Sequence, residues 1–277
     1  MENKKMNEKG KLLIRELQKK YTKAEKIIAA SDKKYFNFLS VSDKIRLANQ
    51  IAGMCFELAR HSGRESIKKL PGNDKMDEEK AEEEFATGTP LIVLCAVGAL
   101  MNEAKIDYMI IGGVATAAWG MPRPTYDVDI MMTFPRKKIT QLLLLAAKHG
   151  FLYQEEEIER LLKSDMIRLR YKIPEKDFSI PIDCIFASVE YQQQALQRKQ
   201  KKKIDQHWIW FASPEDVAIL KLISFRGRDQ LDIESVLIQQ GEKFDLNYVK
   251  KWAKKFGLGK NLKLILKKLS ESKMACG

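Results

Sequence analysis

Ile110-Ile111-Gly112-Gly113-Val114 is followed, after a short spacer, by Gly120-Met121-Pro122-Arg123-Pro124-Thr125-Tyr126-Asp127-Val128-Asp129-Ile130. Asp107 to Ile111 reads as a short strand, apolar and β-branched at its end, broken by the glycine pair. Val114 to Trp119 suits a short helix, so the glycines fall at a strand-to-helix turn. Bare backbone N–H groups and a helix N-terminus at such a turn can receive a phosphate. After a Gly/Pro loop, Asp127 opens a second strand running to Met132. Strand side chains alternate faces, so Asp127 and Asp129 point the same way while Val128 and Ile130 point into the core. A lone Gly-Gly is usually a turn, and a lone Asp-x-Asp is usually a solvated strand end. Their combination, 127 − 113 = 14 residues apart with Arg123 and Thr125 between, points to a divalent-metal site for phosphoryl or nucleotidyl chemistry.

Working outward, Met166 to Ile173 alternates apolar with basic residues, as a half-exposed strand does, and Pro174 to Ser179 makes a turn. Ile180-Pro181-Ile182-Asp183-Cys184-Ile185-Phe186 is the antiparallel return strand. Asp183 among Ile182, Cys184 and Ile185 calls for a compensating cation, and a bound metal is the reading adopted for it. Ser213-Pro214-Glu215-Asp216 opens a helix with Ser at the N-cap, Pro at N1 and acids in the first turn. Lys221 lies on the otherwise apolar body of that helix, an awkward place for a lysine without a phosphate partner. Arg226-Gly227-Arg228-Asp229-Gln230-Leu231-Asp232 follows.

Gly112-Gly113, then Gly120-x-Pro-Arg123-x-Thr125-x-Asp127-x-Asp129, resembles the nucleotidyltransferase superfamily of DNA polymerase β, and within it the AbiEii/MenT-like toxin nucleotidyltransferases. The Pro214-Glu215-Asp216 helix with Lys221 and the Arg228-Asp229-x-x-Asp232 segment resemble later motifs of that branch. The likeness covers roughly residues 90 to 240; the first eighty or so lie outside it. It implies an α/β (α+β) nucleotidyltransferase fold: a small mixed, largely antiparallel sheet flanked by helices, with helical additions at both ends. It further implies that Asp127, Asp129 and Asp183 bind two Mg2+ ions (or Mn2+). Gly112, Gly113, Arg123, Thr125 and Lys221 would hold the NTP, with Lys221 also acting on the reacting phosphates. Asp229, Asp232 and Arg228 would hold the helix pair and orient Lys221. An acceptor hydroxyl would attack the α-phosphorus and release pyrophosphate. Gly113 stands where many relatives carry a serine, which removes one hydroxyl contact to phosphate and leaves the backbone cradle.

The 277 residues, 45% hydrophobic, suffice for one large or two ordinary domains, and 31% charged residues describe a soluble chain. No apolar run approaches the ~20 residues a bilayer needs, and no apolar core follows the charged N-terminus as a secretory signal requires. Cys55, Cys95, Cys184 and Cys276 lack metal-binding spacing and fit a reducing cytoplasm. His61, His149 and His207 offer little material for histidine chemistry. The net charge of +12 favours a polyanionic partner or reflects a lysine-rich surface.

Two amphipathic helices are expected within residues 1–62, carrying Leu13, Leu17, Tyr21, Ala24 and Ile28, then Ile45, Ala48, Ala52 and Cys55. An acidic linker is expected over 63–88, the nucleotidyltransferase core over 89–212 and a helical region over 213–277. Thr89 to Ala104, Pro135 to His149 and Glu155 to Lys163 read as helices. Gln192 to Lys203 reads as a polar, basic loop, with a nucleic-acid contact as the alternative. Phe244 to Lys268 reads as two basic amphipathic helices. For the acceptor, RNA (a tRNA end) fits the charge and the toxin resemblance, which also implies an antitoxin partner. A protein hydroxyl or a small molecule is the alternative acceptor, and a non-catalytic nucleic-acid or partner-binding protein is the alternative of a different class.

Overall fold

The computed structural model describes residues 39–48, 89–123, 125, 127–154, 164–174 and 178–275. The expected linker over 63–88, most of the 1–62 extension and the helix over 155–163 lie outside the described residues. In chain order, α1 (Thr89–Glu103) leads to β1 (Asp107–Ile111), α2 (Gly112–Trp119) and β2 (Val128–Thr133). A 3-10 turn (Arg136–Lys138) opens α3 (Ile139–Lys148), followed by β3 (Phe151–Leu152), β4 (Met166–Lys172) and β5 (Ser179–Phe186). Then come α4 (Glu190–Gln197), β6 (Gln200–Ile204), β7 (His207–Phe211), α5 (Pro214–Ser224), α6 (Gly227–Gln240), α7 (Leu246–Lys255) and α8 (Gly259–Ala275).

The strands form one mixed sheet in the order β3-β4-β5-β2-β1-β7-β6. β2 runs parallel to β5 and β1 parallel to β7; the other neighbours are antiparallel. With seven strands it is larger than the small sheet expected from the sequence, because β3, β6 and β7 extend its two edges. The central strands are apolar in runs, and Tyr108, Met109, Ile110, Ile130, Met131 and Met132 are all fully buried. Such runs need cover on both faces. On one face Gly98 of α1 lies against Ile209 and Tyr108. On the other, Lys199 just beyond α4 pairs with Asp107 at 2.6 Å. β4 and β5 instead alternate buried with half-exposed residues, as strands covered on one face do.

Gln192 to Lys203, expected as a loop, is the body of α4 followed by β6, a correction to the sequence reading. β6 pairs with β7 along its whole length, Gln200 opposite Phe211 through Ile204 opposite His207. It forms the end of the sheet, where a lysine-rich strand is tolerated because charge there discourages pairing with another chain.

Ser213 caps α5 as its sequence indicates, accepting a hydrogen bond from the Asp216 N–H at 3.1 Å. Asp216 is fully buried and acts as a hub. It accepts from Ser213 Oγ at 2.7 Å, Tyr248 Oη at 3.0 Å, Tyr191 Oη at 3.2 Å and Arg198 Nε at 3.2 Å. The Arg198 guanidinium also lies 3.8 Å from the centre of the Tyr248 ring. One carboxylate therefore ties the start of α5 to α4 and α7. Asp216→Ala removes the shared acceptor and leaves its donors unpaired in a dry site. It should lower the unfolding free energy by about 3–5 kcal/mol, read from the urea midpoint; a loss under about 1 kcal/mol would show that these contacts are replaceable.

Candidate functional site

Antiparallel pairing sets Ile111 opposite Asp129, and parallel pairing sets Asp129 beside Asp183. Registered neighbours share a face, so Asp129 and Asp183 stand side by side on adjacent strands. Asp127 precedes β2 by one residue and lies two before Asp129, with Val128 and Ile130 buried on the other side as the alternation predicts. Thr125 Oγ1 donates to Asp127 Oδ1 at 2.9 Å. The glycine pair is shaped to these side chains. Gly112 has a φ of +63°, and a Cβ there would run into the Asp129 carboxylate. A Cβ on Gly113 would meet Thr125 and approach Arg123.

A cationic group faces these acids. Lys221 is buried in the last turn of α5, donates to Asp229 Oδ1 at 2.9 Å and is ion-paired with Asp232 Oδ2 at 2.9 Å. Asp229 and Asp232 are three residues apart on α6 and so share one helical face. Arg123, in the loop before β2, holds Asp232 through two bonds, Nε at 2.5 Å and Nη2 at 2.7 Å. Arg226 donates to Asp229 from its backbone N–H and from Nε, each at 3.0 Å. Burial works to raise the Asp229 carboxyl, but the hydrogen bonds from Lys221 and Arg226 hold it well below the usual carboxylate range. Arg226, which the sequence reading did not single out, supplies an arginine to Asp229.

Asp129 carries the opposite perturbation. Burial, and then the neighbouring charges of Asp127 and Asp183, push its carboxyl up from 3.8 to about 6, against the pull of Lys221 and Arg123. Asp183, by contrast, has a cation of its own. Arg168 Nε donates to Asp183 Oδ1 at 2.6 Å and Nη2 donates to Oδ2 at 2.7 Å. The compensating charge that the apolar flanks of Asp183 call for is therefore present in the protein. The alternation of β4 together with a hairpin turn between residues 172 and 179 was the signal available for it, since that register places Arg168 opposite Asp183.

Among the described residues no three histidine, cysteine, aspartate or glutamate side chains converge as a ready metal cluster. The Asp127–Asp129 pair, whose mutual repulsion and partial burial a cation would relieve, fits a divalent ion as a two-carboxylate donor set. Asp183 stands next to it with both oxygens engaged. The structure thus brings Gly112, Gly113, Arg123, Thr125, Asp127, Asp129, Asp183 and Lys221 into one neighbourhood.

No family model matches the chain and no curated protein matches it. Solved structures are similar to it at low identity. One is an antigenic nucleotidyltransferase-like protein from Paracoccidioides brasiliensis, 20% identical over 64% of this chain and 91% of that one, with a TM-score of 0.43. ANT(2")-Ia in complex with adenylyl-2"-tobramycin is 16% identical over 61% and 97% of the two chains, with a TM-score of 0.42. JHP933 from Helicobacter pylori is 14% identical over 73% and 98%, with a TM-score of 0.40.

The raised Asp129 carboxyl has a consequence for stability. In the metal-free folded protein it keeps its proton to about pH 6, whereas the unfolded chain releases it near 3.8. Stability from this group is present at low pH and is lost as pH rises across that interval, staying lost above it. At about 1.4 kcal/mol per unit, Asp129→Asn should match the wild type near pH 4 and exceed it by a few kcal/mol at pH 7. Thermal melts in a chelator at both pH values read the difference, and equal Tm values at pH 7 would show that the acids do not burden one another.

Proposed function

We propose that the protein is a nucleotidyltransferase that moves an NMP from an NTP to an acceptor hydroxyl, with RNA, a tRNA end in particular, as acceptor. The observation that carries this reading is the arrangement of charge: a crowded acid pair, Asp127 and Asp129, faced by Lys221, Arg123 and Arg226. Divalent ions held by Asp127 and Asp129 would neutralise the triphosphate and acidify the acceptor hydroxyl. Asp183 serves as the third ligand in this reading, which requires it to exchange Arg168 for the metal. Lys221 donates one hydrogen bond to Asp229 and is ion-paired with Asp232, so its three-donor ammonium retains capacity for a phosphate oxygen. Held in place before substrate arrives, it acts on charge that builds as pyrophosphate leaves, where a fixed cation is most effective. Arg123, clamped by Asp232, and Arg226 add positive charge on the same side. Gly112 and Gly113 leave the backbone free of side chains at the turn.

The net charge of +12 supports a polyanionic acceptor. The toxin role, with an antitoxin as partner, rests on the motif resemblance alone.

Incubation with each α-labelled NTP, Mg2+ and total RNA tests the reading. Label should enter RNA with at least one NTP. Asp127→Asn and Asp129→Asn should each lower transfer at least a hundredfold, and Lys221→Ala should lower it about 10²–10³-fold, the scale for one preorganised electrostatic partner. Arg168→Ala, which frees Asp183, should reduce the Mg2+ concentration needed for half-maximal rate. Label on protein instead of RNA would move the acceptor to a protein hydroxyl. No transfer to any acceptor, or full activity in Asp129→Asn, would overturn the assignment.

A further inference from the structure

Residues 198 to 211 carry five lysines and arginines against one acid, Asp205. Arg198 is used internally on Glu215 and Asp216, and Asp205 is paired with Arg46. The pairing of β6 with β7 sets Lys201 opposite Trp210 and Lys203 opposite Trp208, so these four side chains share one face of the edge hairpin. The apolar residues of the opposite face, Ile204, Ile209 and Phe211, are buried in the core. Trp208 is 51% exposed and Trp210 half-buried. Lys199 Nζ lies 5.0 Å and Lys201 Nζ 5.5 Å from the centre of the Trp210 ring, and Lys201 Nζ is 5.8 Å from that of Trp208.

Lysines alone would be accounted for as an edge guard, which keeps the outer strand from pairing with another chain. Tryptophans have no part in that. Two indoles side by side among lysines, one exposed and one half-buried, add apolar surface where the lysines work to discourage association, a pairing that an edge guard does not account for. The alternation of ammonium groups with outward rings matches a chain of phosphates joined to flat bases. A duplex keeps its bases stacked inside; a single strand can lay them on the rings. We propose that this face of the β6–β7 hairpin binds a single-stranded polynucleotide, with Trp208 and Trp210 stacking bases and the exposed Lys201 and Lys203 on the phosphates, while Lys199 stays paired with Asp107. Rings and ammonium groups read neither sequence nor sugar, so binding is tolerant of both. The inference depends on the function proposed above only where it makes that strand the acceptor; binding itself stands without it.

The experiment measures the affinity of the full chain for a fluorescein-labelled 12-nucleotide oligo-uridylate, its oligo-thymidylate counterpart and a duplex of equal length, at two salt concentrations. Both single strands should bind within a few-fold of each other and more tightly than the duplex. Trp208→Ala should weaken binding roughly 5- to 150-fold, the span of one lost base–aromatic stack, with Trp208→Phe recovering most of it. Lys201→Ala combined with Lys203→Ala should lower the log–log salt slope by about 1.4. Circular dichroism and Tm of each variant confirm the fold, which these exposed positions leave intact. NTP binding, measured separately, should be unchanged in all of them, so loss of strand binding with NTP binding intact isolates this surface from the acid site. Unchanged affinity in Trp208→Ala, a flat salt response, or preference for the duplex overturns the proposal. Absence of binding to either single strand at low salt also overturns it, and leaves the hairpin as a protein-docking face.

Discussion

A lysine ammonium almost out of water, held between two carboxylates of the next helix, sets the terms for the rest of the site. An unpaired cation at Lys221 would cost several kcal/mol in desolvation, so α6 must arrive with Asp229 and Asp232 aimed at it. That requirement fixes the turn between α5 and α6, where Phe225 adopts the left-handed conformation at φ 44°. It also reaches back through the chain. Asp232 is shared with Arg123, so the loop between α2 and β2 is pinned to α6, and the acids that follow this loop inherit their position from it. The distant Asp216 hub anchors the other end of α5, so both ends of the helix that carries Lys221 are fixed by buried charge.

The two halves of the site are poised in opposite senses. The cations are already matched by Asp229 and Asp232, and Lys221 and Arg226 hold the Asp229 carboxylate ionised. The acids at Asp127 and Asp129 are not matched, and Asp129 holds its proton unusually well. A ligand bringing a divalent cation and an anionic tail would satisfy both at once. The metal would relieve the acids, and the phosphates would take up the donor capacity that Lys221 retains. Asp183 is the exception, since the protein has given it Arg168.

The strand before the glycines, the alternation that buries Val128 and Ile130, the Ser213 cap and the hairpin of β4 with β5 all follow from periodicity and turn chemistry within a dozen residues. The placement of Asp183 beside Asp129 came from family resemblance, because a parallel pairing between strands fifty residues apart leaves no local trace. The partner of Asp183 is hidden for a related reason: the alternation of β4 marks Arg168 as lying on its half-exposed side, and only the hairpin register sets it opposite Asp183. The basic stretch of β6 read as a loop because its lysines carry little strand propensity; only pairing with His207 to Phe211 makes it a strand. That Arg226 also bonds Asp229 has no local signal, because it depends on where α6 begins.

Gly112 combines a left-handed backbone with a carboxylate lying where a Cβ would be. Every single-base change to a glycine codon that alters the residue introduces a side chain, so the position has no neighbouring missense solution in the genetic code. Drift there is blocked in one step, whereas Gly113 has ordinary backbone angles and is confined by side chains alone, Thr125 and Arg123. The two adjacent glycines therefore differ in evolvability: one is frozen by its own backbone, and the other only by its neighbours, so a change at Thr125 could release it.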